Sequence, residues 1–155
     1  MQAFLSVGLS FQLEKNRAVK LSLDSSALAK RYVLEPGTDQ VLKYCTKATQ
    51  IFLSTLCALE LISALNRLIR EKKLTQDTYL DIKRTMIQDF QQATLIEPHP
   101  ELIEEAVFCL ENTVIRSLDA IHLATAKIIN CDLFVTSDKK QYQAAKKLKI
   151  PAKLI

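Results

Sequence analysis

Glycine is nearly missing from this sequence, with two in 155 residues, and tryptophan is missing altogether. So little glycine argues against an all-β fold built on tight hairpins. It also removes the phosphate-cradling loops, because neither G-x-G-x-x-G nor G-x-x-x-x-G-K occurs. Cysteine is present at positions 45, 57, 109 and 131, but without C-x-x-C spacing or a nearby histidine pair. That pattern excludes a zinc site of the usual kind and leaves free thiols, the state expected of a chain in a reducing cytoplasm. There is no internal repeat, no low-complexity tract and no apolar run long enough to cross a membrane. The opening MQAFLSVGLSFQ is apolar but short, and it lacks a basic n-region and an A-x-A cleavage site. Residues 1–17 are therefore read as an N-terminal appendage, and residues 18–155 as a single domain.

What is there suits a soluble globular domain: 48% of residues are hydrophobic and 25% charged, enough for one substantial core. The formal net charge is +4. It is unevenly placed, since Lys139, Lys140, Lys146, Lys147, Lys149 and Lys153 close the chain without an intervening acid. Such a stripe is either a solvated helix face or the electrostatic footprint of a polyanion.

Apolar runs of strand length alternate with helical segments. AVKLSLD (18–24), QIFLS (50–54), ATLIEP (93–98) and CDLFVTSD (131–138) read as strands. Between them SSALAKRYVLE, a segment from Asp39 to Thr49, LCALELISALNRLIREKK, a long segment from Thr75 to about Ala93, ELIEEAVFCLEN and SLDAIHLATA read as helices. DKKQYQAAKKL is a last helix, and PAKLI adds a final edge strand. Thr55 and Ser117 are placed as helix caps. The alternation predicts an α/β fold, a parallel sheet covered by helices on both faces. In such sheets, sites form beyond the carboxyl ends of the strands.

The acids fall at that rim. Asp24 and Asp138 each follow a strand directly, Asp119 lies in the first turn of an apolar helix, and Glu60 borders the core stripe of the helix after the second strand. Taken singly, each has an ordinary explanation. Asp24 and Asp138 can cap the next helix, worth about 0.5–2 kcal/mol, and Asp119 can complement a helix dipole, worth roughly 0.3–1 kcal/mol. Glu60 can be a border residue. Gathered at one rim, four carboxylates repel one another and call for a cation. Oxygen ligands without thiolate suit Mg²⁺ or Mn²⁺, and ions so held can activate water for attack on a phosphodiester. His122, one turn beyond Asp119 on a face with Ile121, Leu123 and Ala124, reads as a hydrogen-bonded core residue more readily than as a ligand.

Four stretches, LDSSALAKRYVLEPGT, LCALELISALNR, VIRSLDAIHLATA and LFVTSDKKQYQAA, resemble in that order the motifs of PIN-domain ribonucleases. The resemblance is closest to the VapC-type toxins of prokaryotic toxin–antitoxin pairs, and it covers about residues 20–155. It implies a three-layer α/β/α sandwich with a central parallel sheet, and Mg²⁺- or Mn²⁺-dependent endoribonuclease activity. It implies Asp24 and Asp119 as the principal metal ligands, with Glu60 completing the shell directly or through water. Asp138 would bind a second ion or orient the attacking water. Thr136 matches the family's hydroxyl position, Ser25 brings a hydroxyl beside Asp24, and Arg116 is a candidate phosphate contact or an ordinary surface arginine. The implied partners are an RNA substrate, a small VapB-like antitoxin and a second copy of the chain in a homodimer, with no membrane. The closing KKLKIPAKLI departs from the pattern in having no glycine between helix and strand.

Two other enzyme classes fit the fold less well. A haloacid-dehalogenase-type phosphatase wants a second Asp two residues after the first, where this chain has Ser26, and a phosphoacceptor receiver domain wants an early acid pair that is not found. A non-catalytic RNA-binding or interaction module keeping the same fold is the alternative from a different class.

Overall fold

The computed structural model describes residues 19–155, so the appendage expected over residues 1–17 lies outside the described residues. Five strands form one sheet: β1 (Lys20–Leu23), β2 (Gln50–Ser54), β3 (Thr94–Ile96), β4 (Leu133–Thr136) and β5 (Ala152–Leu154). Their order is β3-β2-β1-β4-β5 and every pairing is parallel. The expected parallel α/β architecture is therefore observed, and PAKLI does supply the edge strand beside β4.

Side chains alternate across this sheet and so feed two cores. Leu21, Leu23, Ile51, Leu53 and Val135 point to one layer. There they meet α1 (Ser25–Ala29), α2 (Thr38–Lys47), α3 (Leu56–Arg70) and α4 (Gln76–Gln92). Phe134 points to the other layer, against α5 (Pro100–Asn112), α6 (Ser117–Ile128) and α7 (Lys139–Lys147). The result is a three-layer α/β/α sandwich. The four cysteines are free and buried in these cores, in keeping with their spacing.

Three local expectations are corrected. The first helix, expected to run to Glu35, ends at Ala29. The Thr38 hydroxyl donates to the Lys30 carbonyl at 2.9 Å, taking an acceptor a longer helix would use. Beyond that end, Arg31 and Tyr32 turn inward to Asp89 of α4. The chain then reverses at Gly37, whose φ of +98° is accessible to glycine at little cost. Thr55 does not cap α3 with its side chain; Ser54 Oγ accepts the Leu56 N–H instead, at 3.2 Å. Nor is Ser117 the cap of α6. Arg116 holds that position, and its N–H donates to Asp119 Oδ2 at 3.1 Å.

Candidate functional site

Asp24 leaves the end of β1 with its side chain fully buried, so its charge must be met inside the protein. Four groups meet it. The Ala27 N–H donates to Oδ1 at 2.9 Å, which is the helix-capping role open to it from sequence. The Ser26 hydroxyl faces both carboxylate oxygens, at 2.9 and 2.7 Å. The Thr136 hydroxyl donates to Oδ2 at 2.7 Å, and Gln141 Nε2 donates to the same oxygen at 2.9 Å. Burial nevertheless pushes the Asp24 carboxyl above its ordinary value, against the hydrogen bonds from Ala27, Thr136 and Ser26.

These contacts tie the first strand to the fourth. Thr136 Oγ1 also accepts the Asp138 N–H at 2.9 Å, and Ser26 Oγ accepts the Ser137 N–H at 2.9 Å. Ser26, the position where a dehalogenase-type phosphatase wants its second Asp, is thus a donor that fixes the first carboxylate. Asp138 caps α7, its Oδ1 accepting from the N–H groups of Lys140 at 2.6 Å and Gln141 at 3.1 Å.

Gln141 lies one turn into α7, and its side chain is only 4% exposed. Its Nε2 donates to Asp119 Oδ1 at 3.0 Å as well as to Asp24, so one amide spans two carboxylates. Two acceptors fix which end of the amide faces them, because an oxygen there would be repelled. Gln141 Oε1 is left buried without a hydrogen-bond partner. Asp119 is half-buried rather than fully buried as its apolar helix suggests, because α6 begins at the rim of the sheet.

Glu60 belongs to a second group. Its Oε2 accepts from the Ser25 hydroxyl and stands 2.6 Å from His122 Nε2. His122 is 2% exposed, with Ser25 Oγ at 3.4 Å and Cys57 Sγ at 3.8 Å from its ring nitrogens. Burial works against its charge, but hydrogen bonding to Cys57 and Glu60 and their charges push it up to about 10. Burial also works against Glu60, and the bond to His122, the imidazolium charge and the Ser25 hydroxyl hold it below the usual carboxylate range. His122 is both the core residue expected from its apolar face and a partner of a rim acid.

All four acids line a single cleft of about 660 Å³ at the carboxyl ends of β1, β2 and β4. Ser25, Arg116, Arg67 and Lys30 line it too, and Thr136 lies beneath it, bonded to Asp24. Ser26, His122 and Gln141 are cleft residues that sequence reasoning does not assign to the site. Gln141 has one local signal, its place one turn after an acid that ends a strand.

Among the described residues, no three acidic, histidine or cysteine side chains stand together as a group that could hold a metal ion. The donor chemistry still fits a hard cation. Asp24 and Asp119 come from two elements to one shared donor, the Gln141 amide, and the buried Gln141 Oε1 is unpartnered.

A family model described as PIN domain matches residues 21–147. Comparison with curated proteins gives no match. Among solved structures, FitAcB from Neisseria gonorrhoeae is similar with a TM-score of 0.63 at 15% identity, covering 85% of this chain and 95% of that one. VapC20 from Mycobacterium tuberculosis, described as a Sarcin-Ricin loop cleaving toxin, gives 0.62 at 15% identity, covering 80% and 94%. VapBC2 from Rickettsia felis, bound to a DNA fragment from their promoter, gives 0.62 at 10% identity, covering 88% and 99%. At such identities the likeness is one of fold.

Proposed function

The chain belongs to the PIN domain family, and on that premise we propose that it is a divalent-metal-dependent endoribonuclease, the toxin of a toxin–antitoxin pair. The observation that carries this reading is the single cleft lined by Asp24, Glu60, Asp119 and Asp138 at the carboxyl ends of the strands. Four acids spread along most of the chain are hard to account for as separate caps once they line one cleft.

Asp24 and Asp119 are the residues that would hold Mg²⁺ or Mn²⁺, with Glu60 completing the shell directly or through water. The ion, when bound, supplies charge for the attacking water and for the phosphodiester under attack. The chain's own residues set the stage for it. Thr136 and Ser26 hold the Asp24 carboxylate in one orientation. His122 keeps Glu60 anionic and fixes one of its oxygens, while Ser25 donates to the same oxygen. Asp138, rooted by its capping bonds, orients water at the α7 end of the cleft. Arg116 and Arg67, both exposed at the cleft, contact RNA phosphates.

The partners follow the same reading. α3 and α4 present an apolar groove of about 510 Å³ lined by Ile62, Met86, Ile87, Phe90 and Leu95, a surface of the kind a small antitoxin helix would cover. α5 exposes Ile103, Val107, Phe108 and Leu110, an apolar face suited to a second copy of the chain. Among the described residues no helix is long and apolar enough to cross a membrane.

One observation favours the alternative, a non-catalytic RNA-binding or interaction module: the Gln141 amide already satisfies both Asp24 and Asp119. Purified protein freed of partner, incubated with labelled structured RNAs in Mg²⁺, Mn²⁺ or EDTA, separates the two. Cleavage that needs the metal and disappears in Asp119→Asn is the expected result. RNA binding with no cleavage in either metal, and no Mn²⁺ uptake in calorimetry, would establish the non-catalytic module.

A further inference from the structure

Gln141 does something unusual for a residue of a helix's first turn. It is almost fully buried, spends both protons of its amide on two different carboxylates, and leaves its own oxygen without a partner. A buried acceptor without a donor is costly. The cost is tolerated where the other end of the same side chain does something more valuable. Here that is the separation of two acids, one at the end of β1 and one on α6, whose charges would otherwise face each other.

An NH₂ group offered to two carboxylates is the nearest a neutral side chain comes to a cation. It is directional, carries partial positive charge and reaches both acids at 2.9 and 3.0 Å. We propose that the Gln141 amide is an internal placeholder for the divalent ion, a positioning residue that holds Asp24 and Asp119 together in the metal-free protein and gives way when the ion arrives. The inference rests on the metal-binding reading of the cleft.

Two consequences follow from the geometry. The metal-free site is protected against carboxylate repulsion, so the fold keeps its rim intact without the ion. The ion must also compete with the amide, so the apparent affinity is lower than that of the two carboxylates alone, by the fraction of molecules in which the amide has moved away. The unpartnered Oε1 makes that movement easier. A turn of the amide breaks no bond at the oxygen.

The test is Mn²⁺ titration by calorimetry on EDTA-stripped protein, together with melting temperatures with and without Mn²⁺. Wild type is compared with Gln141→Met, which keeps length and helix propensity but removes both donors, and with Asp119→Asn. Gln141→Met is expected to melt lower than wild type without metal, to recover most of that difference in saturating Mn²⁺, and to bind Mn²⁺ about tenfold more tightly. Gln141→Leu, which also removes both donors without adding a ligand, is expected to give the same two signs and serves if the methionine variant does not fold.

If both Gln141 variants bind Mn²⁺ no more tightly than wild type and lose the same melting temperature with and without metal, Gln141 is only a packing residue. The metal reading would then stand on wild-type binding that Asp119→Asn abolishes. If wild type takes up no Mn²⁺ at all, the metal reading fails and the placeholder fails with it.

Discussion

His122 Nε2 and Glu60 Oε2 stand 2.6 Å apart, joining α6 of one helical layer to α3 of the other over the end of the sheet. The pair clamps the sandwich shut at the rim where the other acids gather. It also gives Glu60 a fixed charge and direction, which an acid on the border of a helix does not otherwise have.

Removing one partner leaves the other poorly compensated. His122→Ala is expected to cost about 2–3 kcal/mol in urea unfolding, less than a fully buried pair because Glu60 is 27% exposed. In a double-mutant cycle with Glu60→Gln the two losses should not add. Additive losses would show that the two side chains act separately.

The pair also sets a pH dependence. The folded His122 value, about 10, lies above its ordinary 6.5, so its contribution is complete below pH 6.5 and is lost as pH rises through about 10. Glu60 is lowered from 4.5, so its share is present above pH 4.5 and is lost as pH falls through its folded value. The wild-type advantage in melting temperature over His122→Gln should therefore be largest near pH 5–6 and shrink toward pH 10. An advantage that grows with pH would reverse the assignment of charge.

Asp138 caps α7, and substitutions can separate that cap from the catalytic role proposed for it. Asn caps helices about as well as Asp, so Asp138→Asn should keep the stability of wild type while RNA cleavage falls by at least about tenfold. Asp138→Ala should lose the cap as well, about 1 kcal/mol. Full cleavage by Asp138→Asn, measured on labelled RNA, would make Asp138 a cap and nothing more.

Behind the cleft wall, Asp89 receives Arg31 Nε at 2.6 Å, Arg31 Nη2 at 2.8 Å and the hydroxyl of the cleft residue Tyr32 at 3.0 Å, all buried. Asp89→Ala removes the buried carboxylate that meets the Arg31 guanidinium and the Tyr32 hydroxyl, and should cost about 3–5 kcal/mol in denaturant unfolding. This site anchors α4 to the turn after α1, so Mn²⁺ affinity of the folded fraction should not change.

Arg116 and Arg67 are exposed and line the cleft. Arg116→Ala with Arg67→Ala should raise KM for RNA and flatten its salt dependence by about two phosphate contacts, with kcat nearly kept. A fall in kcat at unchanged KM would place an arginine at the reacting phosphate.

Much of this protein can be read along the chain. Strands and helices show themselves as changes of apolar period, and the short runs QIFLS and LFVT, apolar on both faces, suit buried strands of a covered parallel sheet. Because strands in such a sheet all end at one rim, an acid directly after a strand, as with Asp24 and Asp138, is assigned to that rim by its place in the chain alone. The end of the first helix is not legible in the same way. Its stop lies in a hydroxyl eight residues ahead of Lys30, at Thr38, and not in the helix's own composition.

What only the tertiary structure decided is which side chains finish the site. His122 reaches Glu60 across 62 positions and Gln141 reaches Asp24 across 117, and no local pattern announces either contact. Burial was likewise settled by packing, with Asp24 enclosed and Asp119 left half open although its helix is largely apolar. Sequence periodicity reports how a segment faces its own layer. The meeting of two layers depends on the register and length of every strand between them, and that is a property of the whole fold.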